Sequence, residues 1–161
     1  MTDARKHLSK GLMRLIRKSP FYTSLILKHE IIEDENLNSV MATNGTNLIF
    51  SPRILDIQVK EMTEVLKHEA MHVANQHHIR AKVLEKLYAN KIKDIGLNFR
   101  YTFNVAADLA INTILDDYWC WTDRTLLKDG CIPGHNQFHD FPRFQTTEFY
   151  FNKLIEDYES G

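Results

Sequence analysis

Residues 68–72 read His-Glu-Ala-Met-His, and this pentapeptide with its flanks constrains the fold more than any other stretch of the chain. Met62, Val65, Leu66, Val73 and Ile79 recur at helical spacing, so the segment reads as an amphipathic helix with an apolar arc turned inward. On such a helix His68 and His72 stand one turn apart on one face, within or beside the arc, while Glu69 is rotated by about 100°. Two imidazoles sharing an inward face need a partner, and the spacing suits a cation: two ring nitrogens fill two corners of a zinc tetrahedron, a third protein ligand fills another, and water takes the last. Zinc would bring the pKa of that water toward neutrality and polarise a carbonyl, with Glu69 beside it as general base. About 2 in 100 shuffled chains of this composition would contain the bare pentapeptide, so it is the inward placement of both imidazoles that favours metal over two core histidines.

Three residues compete for the third ligand position. His78 gives the spacing HExxHxxNxxH, similar to the long zinc motif of metzincins but with Asn75 in place of glycine, and no methionine follows Met71 to form a Met-turn. The apolar pattern runs on through Ile79, Val83, Leu84 and Leu87, which predicts an unbroken helix over about 59–88. On that helix His78 points about 100° or more from the His68/His72 direction and His77 points nearly opposite, so neither reaches the metal. The third candidate is Asp108. Asn104, Asp108 and Asn112 recur every four residues on an otherwise apolar helix predicted over about 101–115, and a carboxylate on such a face needs a cation or several donors. Asp108 is therefore the preferred third ligand and His78 the alternative. Asn104 and Asn112 are candidates to orient the ligands or grip substrate, with Arg80 and Tyr101 as further candidates for substrate or oxyanion contact.

Elsewhere, residues 3–18 form a basic amphipathic helix, with Leu8, Leu12, Leu15 and Ile16 on one side and six Lys or Arg on the other. A solvated face on a leucine-packed helix accounts for it, and a net charge of −1 gives no general field for nucleic acid, which is not an expected partner. Phe21–Ile32 reads as a strand. A hairpin is predicted over about 39–50, with Asn44-Gly45 as a type I′ turn and Thr46–Phe50 as its edge strand. Ser51-Pro52 predicts a short helix start, and Gly96 a helix stop. Residues 116–145 read as an ordered loop anchored by Trp119, Trp121, Phe138, Phe141 and Phe144. Within that loop Cys131, His135 and His139 lack a fourth ligand for a second metal cluster, and Cys120 and Cys131 read as reduced thiols. No run of 18 apolar residues occurs, so no membrane span is expected, and the location expected is cytoplasmic. At 161 residues the chain suits a single domain.

The runs Pro20-Phe21, Met41-Ala-Thr-Asn-Gly45, Phe50-Ser-Pro52, His68-Glu69-x-x-His72 with His77 and Arg80, and Asn104-x-Ala-Ala-Asp108-x-Ala-Ile-Asn112 resemble, in order, the putative metallopeptidase domain of bacterial and phage proteins. The resemblance spans about residues 12–158. It implies an α+β, zincin-like fold that is mainly helical, with a small antiparallel β-sheet before the HExxH helix. It also implies His68, His72 and Asp108 as metal ligands, Glu69 as base, and a host cytoplasmic setting if the chain is phage-encoded. In that family a von Willebrand A-like module often follows, and these 161 residues show none. The expected activity is zinc-dependent hydrolysis of a peptide or protein substrate, with a regulatory protein as partner. The alternative is a non-catalytic, zinc-stabilised protein-binding module of a larger assembly.

Overall fold

A computed structural model describes residues 1–115 and 130–161. Trp119, Cys120 and Trp121, with the expectations placed on them, lie outside the described residues. The chain is mainly helical with one small sheet, an α+β arrangement. In chain order it runs α1 (Asp3–Lys18), α2 (Pro20–Ile26), β1 (Glu30–Glu33), β2 (Met41–Thr43), β3 (Asn47–Phe50), a 3₁₀ turn (Pro52–Asp56), α3 (Val59–Ala74), α4 (His77–Ile95), α5 (Phe99–Asn112) and, after a 3₁₀ turn at Asn136–Phe138, α6 (Thr147–Ser160).

The sheet is mixed, not antiparallel as expected, with strand order β1-β3-β2. β3 lies at the centre, parallel to β1 and antiparallel to β2. The segment Thr46–Phe50 expected at the edge is thus interior, and the free edge on the hairpin side belongs to β2. The hairpin turn also differs. Gly45 alone in it has positive φ, at 93°, while Asn44 Oδ1 accepts from the backbone N–H groups of Thr46 and Asn47. The side chain of Asn44 therefore closes the turn, where a type I′ turn would place both central residues at positive φ. Residues Pro20–Ile26 form a helix in place of the strand expected over 21–32; only the end of that segment, from Glu30, is strand, in β1. Proline suits a first helical turn, and Thr23 and Ile26 are buried three residues apart, so tertiary burial overrides the β-propensity of the aromatic and branched residues.

Two hydrophobic clusters flank the molecule's middle. One joins α1, α2, the sheet and α3 through Leu8, Leu15, Ile26, Leu48, Phe50 and Leu66. The other joins α4, α5 and α6 through Leu84, Phe103, Leu109, Tyr150 and Phe151. Phe138 and Phe141 belong to the second cluster as expected for loop anchors, whereas Phe144 is 70% exposed. α3 is the backbone of the first cluster and α5 of the second, and they meet along the faces that carry the histidines and Asp108. α3 starts with reciprocal caps, Gln58 N–H donating to the Glu61 carboxylate, and is braced by α1.

Gly11 allows that brace. A Cβ at position 11 would lie 2.7 Å from Met62 Sδ and 3.0 Å from its Cγ, so α1 and α3 approach closer than larger residues permit. Gly11→Leu is expected to destabilise the fold by about 1–3 kcal/mol through overpacking, read as a lower midpoint in denaturant unfolding. An unchanged midpoint would mean that the two helices part at no cost.

Candidate metal centre

α3 places His68 and His72 on one face, and their Nε2 atoms lie 3.0 Å apart. From α5, Asp108 Oδ1 reaches to 3.2 Å from each of them. Three donor atoms therefore form a nearly equilateral triangle. Ligands held tetrahedrally at about 2.0–2.1 Å from zinc stand about 3.3–3.4 Å apart, so the triangle is close to the size the ion requires. His68, Glu69 and His72 also offer ligand atoms within 4.8 Å of one another.

The hydrogen bonds behind the triangle fix which ring atoms face it. Asn112 Nδ2 donates to the Cys131 carbonyl, 2.9 Å away, so its Oδ1 must face His68. That oxygen only accepts, and it lies 2.8 Å from His68 Nδ1; the ring must carry its proton there. In the neutral ring, His68 Nε2 is thus a bare acceptor pointing at His72 Nε2. Two ring nitrogens 3.0 Å apart need either a proton or a metal ion between them. The protein supplies strong field for one: burial disfavours charge on His68, yet the Asp108 and Glu69 carboxylates and the bond to Asn112 outweigh it and lift its pKa to about 9. For Asp108 burial works upward, but His68 and His72 win and hold the carboxyl well below the usual carboxylate range. The residues present fit a divalent cation.

Glu69 has a different environment. Its side chain faces β2 and accepts from the backbone N–H of Thr43, and burial pushes its carboxyl up against the pull of His72 and His68. A cleft of about 760 Å³ opens over the triangle, walled by β2 on one side and by α4 and α5 on the other. Asn104 is exposed on that wall.

The other sequence candidates fall as follows. Asn112 stands behind His68 as described. Arg80 turns away from the cleft: its guanidinium binds both oxygens of Glu148, with Nε at 2.7 Å from Oε1, and donates to the Asn75 carbonyl. Tyr101 is 67% exposed and lines a separate cavity of about 390 Å³ with Leu97, Leu154 and Tyr158. Neither Arg80 nor Tyr101 lines the cleft over the triangle, which corrects their candidacy for oxyanion contact. His78 lines the cleft but packs its ring on Gly45, so close that a Cβ there would overlap it, and its nitrogens are outside the converging group. Among the described residues Cys131, His135 and His139 form no second cluster. The Cys131 thiol is pushed up to about 12 by burial and by Asp108, and His139 pairs with Asp140 at the surface.

His77 is the residue that sequence reasoning placed on the wrong face. The predicted continuous helix breaks at Asn75-Gln76: Gln76 takes φ 52° and ψ 39°, and α4 restarts at His77 in a new direction. His77 thereby becomes buried with Nδ1 2.9 Å from His72 Nδ1 and Nε2 2.9 Å from Thr147 Oγ1. Burial, with the neighbouring His72 and Arg80, lowers its pKa to about 3, so the ring is neutral. Asn75 was the visible hint of a turn, but it keeps φ −82° while Gln76 makes the left-handed step.

The chain belongs to the family described as "Putative metallopeptidase domain", which matches residues 3–124. A curated protein of Thermotoga maritima, named only as an uncharacterized protein, is similar at 23% identity over 163 residues, covering 94% of this chain. This chain spans 38% of that relative's length. No solved structure matches.

The left-handed step at Gln76 generates a test. Gln76→Gly relieves a Cβ strain of about 1–2 kcal/mol, offset in part by the greater freedom of glycine in the unfolded chain, so the variant should be as stable as the parent or up to about 1 kcal/mol more stable. A clear loss of stability in thermal or denaturant unfolding would show that the step is not taken there.

Proposed function

We propose that this member of the family is a zinc-dependent peptidase in which His68, His72 and Asp108 hold the ion and Glu69 is the general base. The observation that carries the reading is the triangle of two imidazole nitrogens and one carboxylate oxygen, 3.0–3.2 Å on its edges, with a carboxylate of contrasting environment beside it. Two histidines and one carboxylate also suit iron; Glu69 next to the site favours hydrolysis and so zinc. A zinc ion in this position supplies Lewis acidity to a carbonyl and acidifies a water.

The residues of the chain then divide the work. Glu69, its carboxyl raised by burial, takes the proton of the attacking water and returns it to the leaving amine. Thr43 N–H holds the Glu69 carboxylate in place from the strand side. The substrate lies along β2. Val40 and Asn44 bond to the β3 side, through Ser51 N–H to Val40 C=O and Asn44 N–H to Asn47 C=O, so by antiparallel alternation Met41 and Thr43 turn their backbone groups away from β3; with Thr43 N–H on Glu69 and Met41 C=O accepting from Ser39 Oγ, Met41 N–H and Thr43 C=O are left for an added strand. An extended peptide adding to this edge would run past Glu69 and over the triangle. Asn104 on the facing wall is placed to take a substrate carbonyl or amide.

Glu69→Gln is expected to keep zinc at one ion per chain by elemental analysis while lowering the turnover of a peptide library by about 10²–10⁴-fold. Undiminished turnover would overturn the base assignment. Wild-type protein that holds zinc yet cleaves no peptide in the library would favour the protein-binding module. The ion also joins α3 to α5, and hence one cluster to the other. Zinc at 100 times its Kd should therefore add about 2.7 kcal/mol of stability, and a chelator should remove it; a melting temperature indifferent to chelator would contradict the ligand set.

A further inference from the structure

Beyond the three proposed ligands and the base, one array among the described residues has no role yet: His72 Nδ1 lies 2.9 Å from His77 Nδ1, and His77 Nε2, across the ring, lies 2.9 Å from Thr147 Oγ1. It joins three helices. His72 comes from α3, His77 from the first position of α4, and Thr147 from the first position of α6. His77 and Thr147 are 4% and 1% exposed, and the His72 side chain is 18% exposed where it meets the cleft.

The proton count along the array has a direct consequence for His72. Two facing Nδ1 atoms at 2.9 Å share one hydrogen, carried by one ring or the other. If His77 carried it, His72 Nδ1 would be an acceptor, and in a neutral His72 the remaining proton would sit on Nε2, the atom that faces His68 and Asp108. That arrangement closes the triangle to a cation. If His72 carries it, His77 Nδ1 accepts, His77 Nε2–H donates to Thr147 Oγ1, and His72 Nε2 is bare. Asn112 imposes the same tautomer on His68 from the other side. A metal-ligating histidine commonly donates its far nitrogen in this way, which sets ring orientation and basicity.

We propose that His77 is a positioning residue that holds His72 in the tautomer with Nε2 bare, and that Thr147 orients the His77 ring for this task. The proposal rests on the reading of His68, His72 and Asp108 as metal ligands. It gives α6 a part in the site, although Thr147 lies outside the segment 3–124 shared with the family. Arg80 and Glu148, one turn along α4 and the next residue on α6, clamp the same two helix starts together and keep the array in register.

The test uses the full chain and zinc alone as probe. Zinc Kd is measured by competition with a chromogenic chelator for wild type, Asp108→Ala, His77→Phe, Thr147→Val and Thr147→Ser. In parallel, the tautomer of His72 is read from long-range ¹⁵N–¹H correlation spectra, with circular dichroism to check folding. His77→Phe is expected to weaken zinc by about 10–100-fold and to lose the single Nδ1–H signature of His72. Thr147→Val should weaken zinc by several-fold, and Thr147→Ser, which restores the hydroxyl, should bind as wild type does. Should His77→Phe fail to fold, the Val and Ser pair at position 147 decides alone. Folded variants that bind zinc like wild type with an unchanged His72 tautomer would overturn the proposal and leave His77 a core histidine. Failure of the underlying reading looks different: wild type would not bind zinc, or Asp108→Ala would bind it equally well.

Discussion

Two imidazole nitrogens 3.0 Å apart need a proton or a cation between them, and much of the architecture answers that demand. Asp108 closes the triangle with negative charge at 3.2 Å from both rings, a field that attracts a cation as firmly as a proton. Behind the rings, Asn112 fixes one proton on the far side of His68, and His77 is placed to do so for His72. The two hydrophobic clusters meet at this point, one bringing α3 and the other α5. A cation here would therefore join the halves of the fold as well as do chemistry.

The two carboxylates beside the histidines are pushed in opposite directions by their surroundings. Asp108 faces both rings and stays ionised, whereas Glu69 is turned by one residue toward the strand and has its carboxyl raised by burial. Such a divergence separates a group that holds charge from a group that moves a proton. It follows from helix geometry, since the adjacent residues His68 and Glu69 of α3 point about 100° apart, so His68 meets Asp108 on α5 while Glu69 meets β2.

The spacing of the histidines and the four-residue stripe of Asn104, Asp108 and Asn112 were legible in the sequence because both follow the helical repeat. The meeting of the two stripes was legible only through apolar faces that had to pack. Three matters were not. Gln76 carries no compositional mark of a left-handed residue, so the break after α3 was hidden and His77 was assigned to the wrong face. Strand order leaves no local trace, because β2 and β3 are both short; which of them lies at the edge depends on β1 joining β3 from a distance. Arg80 was legible as a site residue by its nearness to the motif, but a carboxylate 68 residues away claims its guanidinium.

The central claim is the ligand set, and X-ray absorption at the zinc edge of the loaded protein tests it most directly. Two imidazole nitrogens and one carboxylate oxygen at about 2.0–2.2 Å are predicted, with the oxygen contribution altered in Asp108→Ala. A first shell of three imidazoles, or one that is the same in Asp108→Ala, would contradict the account.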